Sequence, residues 1–271
     1  MPYIEINDAQ VYYEAYGDDP PSTSVSTSSA THRLRTDRAP IVLIHGSMID
    51  CHTEWDSIAP ALSKHYKVFM LDCRGHGRSN NPHMSYSFKE LADDAAAFVC
   101  ALGYEKAHII GHSNGGNVAV VVLMEHPEVV QTCIPQAANA YVTRYLIERE
   151  PVYFDTKRME REEPDYVNRL IALHDETNGR DYWRELAWLT MKETMSEPNY
   201  SPAELRRVRR PVLVIMGADD KSNAFDEHAQ YIANNIPNAE LWIPENTGHN
   251  VHEEREQEWV ERVLNFLKRR G

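Results

Sequence analysis

The run Gly111-His112-Ser113-Asn114-Gly115-Gly116 holds the residues best suited to chemistry. It follows the mostly apolar run Ala107 to Ile110 and precedes a helical run from Asn117 to Glu125, so it reads as strand, sharp turn and helix. In a Gly-x-Ser-x-Gly at such a junction the serine sits on a strained turn, with its hydroxyl clear of the sheet edge and available for nucleophilic attack. The glycines have a mechanical reason: side chains at Gly111 and Gly115 would collide with the neighbouring strand and helix. The new helix aims its unpaired N–H groups at the same spot, which favours negative charge on an oxyanion beside Ser113. Taken alone, the pattern also fits a glycine-rich turn with an incidental serine, and its surroundings must decide.

A nucleophilic serine needs a base, and the base needs an orienting group. An acid after the penultimate apolar strand, Asp219 or Asp220, and His249 after the last one complete the order Ser, Asp, His. Each stands at the carboxyl end of a strand, where side chains distant in sequence converge in open α/β sheets. His249 would take the Ser113 proton and return it to the leaving group, while the carboxylate fixes the imidazole tautomer. The expected oxyanion donors are the backbone N–H of Asn114 and of Ser47, which follows His45-Gly46. Ser47 lacks an elbow and is no second nucleophile. Asn114 and Met48, beside these donors, join Tyr141, Trp183 and Trp188 as candidate substrate-pocket residues.

Two weaker signals are set aside. His249 and His252 have helical spacing, but without a third ligand in a recognisable pattern no metal is expected, and His252 reads as a surface or helix-capping residue. Gly75-x-Gly77 lacks both the P-loop Lys-Ser/Thr and the full dinucleotide fingerprint, so it reads as a plain turn and no cofactor is expected.

These residues must be positioned by an α/β framework. Tyr3 to Ile6 and Val11 to Tyr16 read as an N-terminal hairpin, and the fully apolar Ile41 to Ile44 as the first strand buried on both faces. Trp55 to Ser63 reads as a crossover helix, Lys67 to Asp72 as a strand, and Ser87 to Leu102 as an amphipathic helix whose Ser87-x-x-Glu90 start fits a capping box. After the elbow come the strands Val130 to Ile134, Pro211 to Met216 and Glu240 to Ile243, with helices at Asp226 to Asn235 and Glu253 to Lys268. The alternation predicts an eight-stranded, mostly parallel sheet with helices on both faces. Residues 135–210 break the pattern with dense opposite charges among aromatics, which predicts a helical cap insertion. The core is therefore expected over 1–134 and 211–271, with a Ser/Thr-rich mobile loop at 17–39 that has too little apolar surface to offset its ordering entropy.

A chain of 271 residues suits one such domain with its insertion. The net charge of −13 disfavours nucleic acid and anionic membrane as partners. The cysteines at 51, 73, 100 and 133 form no C-x-x-C pair, so a reducing cytoplasm fits best, and no run resembles a signal peptide or membrane span.

His45-Gly46, Asp72-x-Arg74-Gly75-x-Gly77-x-Ser79, the Ser113 elbow, Gly217-x-x-Asp220 and Gly248-His249 together resemble the α/β-hydrolase superfamily along nearly the whole chain. More narrowly, Ala138 to Thr143 and His249-Asn250-Val251-His252 resemble the valacyclovir hydrolase (biphenyl hydrolase-like) group. The resemblance favours Asp220 over Asp219 as the acid and implies a serine esterase of small-molecule esters with the triad Ser113, Asp220, His249. That group carries an aspartate directly after the nucleophile, where it recognises a substrate α-amino group. Asn114 stands in that place here, so a preference for aminoacyl esters does not carry over. Lactone or carbon–carbon hydrolysis on the same residues, and a ligand receptor that keeps the fold, are the alternatives.

Overall fold

The computed structural model describes residues 2–18, 39–222 and 227–271. Most of the segment expected to form a mobile loop, and the start of the helix expected from Asp226, lie outside the described residues.

The strands are β1 (Tyr3–Ile6), β2 (Ala9–Tyr16), β3 (Ile41–Ile44), β4 (Val68–Leu71), β5 (Ala107–His112), β6 (Val130–Gln136), β7 (Leu213–Ile215) and β8 (Glu240–Trp242). They form one eight-stranded sheet in the order β1-β2-β4-β3-β5-β6-β7-β8. The hairpin β1–β2 joins β4 antiparallel, and every pairing from β4 to β8 is parallel. The sheet is thus the mostly parallel one that the alternation predicts.

The period of two along a strand sends neighbouring side chains to opposite faces, and here both faces are covered. Val42 and Ile44 of β3, Ile109 of β5 and Val214 of β7 enter one core, whereas Ile41, Leu43, Ile110 and Ile215 enter the other. The first core is closed by α3 (Phe88–Ala101) and α4 (Asn114–Glu125). The second is closed by α1 (Cys51–Trp55), α2 (Ala59–Leu62) and, at the far end of the chain, α12 (Glu256–Arg270), through Trp55, Leu62, Trp259 and Phe266.

Between β6 and β7 run α5 (Arg144–Tyr153), α6 (Thr156–Glu162), α7 (Pro164–Asn178), α8 (Tyr182–Thr194) and α9 (Pro202–Leu205). The remaining helices are α10 (Ala229–Asn235), before β8, and α11 (Val251–Glu254), before α12.

Three helices differ from expectation for local reasons. The helix expected over Trp55 to Ser63 is two pieces, α1 and α2, because Pro60 has no N–H to continue a ladder through Asp56. Asp50 starts the first piece by accepting the Thr53 N–H at 2.8 Å. The helix expected from Glu253 is broken at Arg255, whose guanidinium reaches back to Thr247 Oγ1 at 3.0 Å and to the Glu245 carbonyl at 2.8 Å. At the start of α3, Ser87 Oγ accepts the Glu90 N–H at 2.9 Å, but the Glu90 carboxylate turns to the Ser85 hydroxyl at 2.7 Å instead of closing a capping box.

Candidate active site

At the end of β5 the chain turns through Ser113, with φ 55° and ψ −121°, and enters α4 at the next residue. This conformation is costly for a residue with a side chain and persists because its neighbours over-determine it. The Ser113 N–H donates to the Gln136 carbonyl of β6 at 2.9 Å. A Cβ on Gly111 would fall 2.0 Å from the Gly115 carbonyl oxygen, and one on Gly115 would fall 2.2 Å from that of Ile44 in β3. The glycines therefore let strand, turn and helix approach backbone to backbone. Asn114, the first residue of α4, has no intrahelical acceptor for its N–H.

Facing this turn is the loop after β3. His45 Nε2 accepts the Cys73 N–H at 2.9 Å, so the ring proton sits on Nδ1 and is donated to the Gly46 carbonyl at 2.6 Å. That contact turns the Gly46 carbonyl toward His45. In a planar trans peptide the Ser47 N–H then points the opposite way. Ser47, Ser113, Asn114 and His249 line one cleft of about 480 Å³, its open mouth included.

His249 enters the cleft from the loop after β8. Its Nδ1 lies 2.8 Å from Oδ2 of Asp220, whose carboxylate is wholly buried. The other oxygen of Asp220 accepts the Ser222 N–H at 2.7 Å. Asp219 is exposed and uses its backbone N–H to bond the Thr247 carbonyl at 2.9 Å. The two loops meet at Gly217, where a Cβ would stand 2.0 Å from the Gly248 carbonyl oxygen.

The opposite wall comes from the helical insertion: Leu146, Arg149, Glu150 and Tyr153 of α5, with Phe154 just after it and Thr194 of α8. Of the residues expected in the pocket, only Asn114 lines this cleft. Met48 is buried beneath it, with its sulfur 4.0 Å from the Thr190 hydroxyl. Trp183 is wholly buried in the helix packing, whereas Trp188, five residues on and so on another face of α8, is exposed with Lys192 over its ring. Tyr141 packs against Tyr231 at a centroid distance of 4.7 Å. Arg149 and Glu150 were legible only as part of a charge-rich run. In the structure Glu150 is buried, its carboxylate 3.0 Å from Arg149 Nη1, and burial pushes its pKa above the usual carboxylate range although Arg149 opposes this.

A serine on a strained turn and a histidine held by a buried carboxylate thus line one cleft over a mostly parallel sheet. The sequence model of the alpha/beta hydrolase family matches residues 41–263. The chain belongs to the alpha/beta hydrolase family. This hydrolase is 24% identical over 250 residues to a 2-hydroxy-6-oxo-6-(2'-aminophenyl)hexa-2,4-dienoic acid hydrolase of Metapseudomonas resinovorans, a match covering 86% of this chain and 85% of that protein. Its fold is similar to that of the enol-lactonase from Burkholderia xenovorans LB400, with TM-score 0.71 and 22% identity over 98% of this chain and 100% of the other. It is also similar in fold to a carboxylesterase of Nitrososphaera gargenis, with TM-score 0.74 and 23% identity over 98% of each chain.

Beneath the cleft of this hydrolase lies a buried group that sequence reading missed. His252 is wholly buried, not on the surface, and its Nε2 lies 2.9 Å from Glu54 Oε1, which is also 2.8 Å from His112 Nδ1. Both approaches are off the ring N–H axis, so they are close polar contacts and not linear hydrogen bonds. Burial raises the Glu54 pKa, but His112 and then His252 outweigh it and hold the carboxyl well below its usual range.

The ligand atoms of Glu54, His112 and His252 lie within 4.8 Å of one another, close enough to frame a metal ion. The surrounding hydrogen bonds oppose one. Trp259 Nε1 donates to Gln136 Oε1 at 2.7 Å, so the Gln136 amide nitrogen is the atom 2.8 Å from His252 Nδ1 and must donate to it. The His252 proton then belongs on Nε2, the atom a metal would need bare. No signal in the sequence links Glu54 to His252, because only the packing of α1 against α11 and α12 brings them together.

Proposed function

We propose that this chain is a serine hydrolase that cleaves small carboxylic esters through an acyl-enzyme. The observation that carries the reading is the 2.8 Å contact of His249 Nδ1 with the buried Asp220 carboxylate, in the cleft that Ser113 lines. Ser113 Oγ attacks the ester carbonyl carbon while His249 Nε2 takes its proton, and Asp220 holds the Nδ1–H tautomer and stabilises the imidazolium. Charge on the tetrahedral oxygen is met by the N–H groups of Ser47 and Asn114 at the positive end of α4. Collapse expels the alcohol, which receives the proton from His249. Water, deprotonated by the same ring, then attacks the acyl-serine, and the acid leaves with Ser113 restored. The helices α5 to α8 act as a cap whose α5 face selects the substrate.

A second reading has one observation in its favour. The Metapseudomonas relative is named for a 2-hydroxy-6-oxo-dienoic acid, a carboxylate-bearing substrate, and here the cleft wall carries Arg149. The same residues would then cleave a carbon–carbon bond next to a ketone, or open a lactone.

Stoichiometric labelling of Ser113 by a fluorophosphonate, with turnover of a short p-nitrophenyl ester, tests the nucleophile. Comparing kcat/KM for that ester, a γ-lactone and a 2-hydroxy-6-oxo-dienoate decides between the readings. Absence of labelling and of turnover on all three would overturn both.

A further inference from the structure

We infer that Glu54 is a positioning residue of the hydrolytic reaction: one buried carboxylate that ties together the oxyanion loop, the Ser113 elbow and the His249 loop. The inference rests on the Ser113–His249–Asp220 reading above.

Glu54 lies on α1, outside the cleft, with its side chain 3% exposed. Its Oε2 accepts the Gly46 N–H at 2.9 Å. Its Oε1 faces His112, the residue before the nucleophile, and His252, three residues beyond the base. His112 in turn places Nε2 3.2 Å from the backbone carbonyl of His249. His252 is held on its other side by Gln136 at 2.8 Å, whose backbone carbonyl accepts the Ser113 N–H at 2.9 Å. Three segments that carry the reacting groups are thus joined through one anion.

The contact with Gly46 bears most directly on the reaction. Its N–H is bound by Glu54 and its carbonyl by His45 Nδ1, so both ends of this residue are held. The following peptide is planar, which leaves the Ser47 N–H one direction, away from His45. A donor aimed before the substrate arrives costs nothing to reorganise as charge develops, and that is the source of its catalytic effect. A buried anion is a poor way to gain stability, since well-packed apolar residues commonly do as well. A positioning role explains why a carboxylate stands here.

The test compares Glu54→Gln, which removes the charge, with Glu54→Asp, which keeps it but withdraws the carboxylate by one methylene. The readouts are kcat and KM for the p-nitrophenyl ester and inhibition by phenylboronic acid, whose tetrahedral adduct on Ser113 mimics the charged intermediate. Misaiming one donor should lower kcat by about ten- to a hundredfold, less than outright removal of an oxyanion donor. KM should stay within about twofold, and the boronate inhibition constant should rise in step with the loss of kcat. A folded variant with native kcat, or one that raises KM with no change in boronate affinity, would overturn the role. So would failure of both variants to fold, which would make Glu54 a structural residue only. Ser113→Ala, measured alongside, separates the two readings. If Ser113→Ala is inactive and Glu54→Gln is fully active, only the positioning role fails, whereas an active Ser113→Ala removes the nucleophile and the positioning role with it.

Discussion

The Nδ1 of His249 lies 2.8 Å from Oδ2 of Asp220, while the neighbouring Asp219 points to solvent and meets the same loop only through its backbone. Two adjacent aspartates therefore have unequal expected roles. Asp220→Asn should lower kcat by a factor on the order of 10⁴, because an amide that donates to Nδ1 imposes the wrong tautomer on the base. Asp219→Asn should leave kcat within about threefold of native, in keeping with a small surface effect. Steady-state kinetics on the two variants, with matched circular dichroism, checks the pair. A larger loss in Asp219→Asn would reverse the assignment.

Ser113 carries both the chemistry and the backbone strain of the elbow. Ser113→Ala should fold and lose at least roughly a thousandfold in turnover, since the oxyanion donors alone cannot replace the nucleophile. Ser113→Gly should be equally inactive yet more stable than Ser113→Ala by about 1–3 kcal/mol, because glycine accepts φ 55° without a Cβ penalty. Urea unfolding of the two inactive proteins measures the difference. Equal midpoints would mean that the turn is not strained.

Asn114 begins α4 and lines the cleft. A neutral amide lacks the Coulombic part of an ammonium contact, and hydrogen bonds to charged groups contribute about 1.5–3 kcal/mol. Asn114→Asp should therefore raise the kcat/KM ratio of an aminoacyl ester over its des-amino analogue by roughly ten- to a hundredfold. The ratio is measured at a pH where the amine is protonated, and no change would show that Asn114 serves the helix start alone.

His174 fastens the helical insertion to the core. Its Nδ1 accepts the Gly77 N–H at 2.9 Å and its Nε2 faces the Met48 carbonyl at 3.2 Å. Burial lowers its pKa to about 4 from an ordinary 6.5, so the fold prefers the neutral ring. The unfolded chain binds a proton there between those values and the folded chain does not. Stability from this site is thus complete above about pH 6.5 and is lost as pH falls toward 4, a span worth on the order of 3 kcal/mol. His174→Gln should be less stable at pH 7 and show a shallower loss on acidification. Urea titrations of both proteins at pH 5 and 7 give the two slopes, and parallel slopes would refute the role.

Much of the framework was legible in local pattern. An uninterrupted apolar run such as Ile41 to Ile44 specifies a strand covered on both faces, because a half-exposed strand would have to alternate. The elbow was legible for a stricter reason: Gly111 and Gly115 leave no room for a Cβ, so their identity reports the close approach of three backbones. Gly217 marks in the same way the meeting of the loops that bring Asp220 to His249, since a Cβ there would strike the Thr247 and Gly248 carbonyls. Of the local misreadings, the crossover helix had its breaker in plain view at Pro60, whereas the break at Arg255 depends on the Thr247 and Glu245 oxygens folding back to meet it.

What the sequence by itself determined is the succession of strands along the chain and the residue types at their carboxyl ends, since both follow from the period of the chain and from backbone sterics. Tertiary structure decided which side chains face which neighbours once helices dock. Trp183 and Trp188 share composition and element, yet packing against the core buries one and leaves the other in water. Glu150 is one charge among many in its segment until α5 tips it into the cleft. Glu54 and His252 are almost two hundred residues apart, and no spacing rule relates them. Their meeting follows from the docking of α1, α11 and α12 on one face of the sheet, where a carboxylate out of water must find its partners in whatever elements the fold brings alongside.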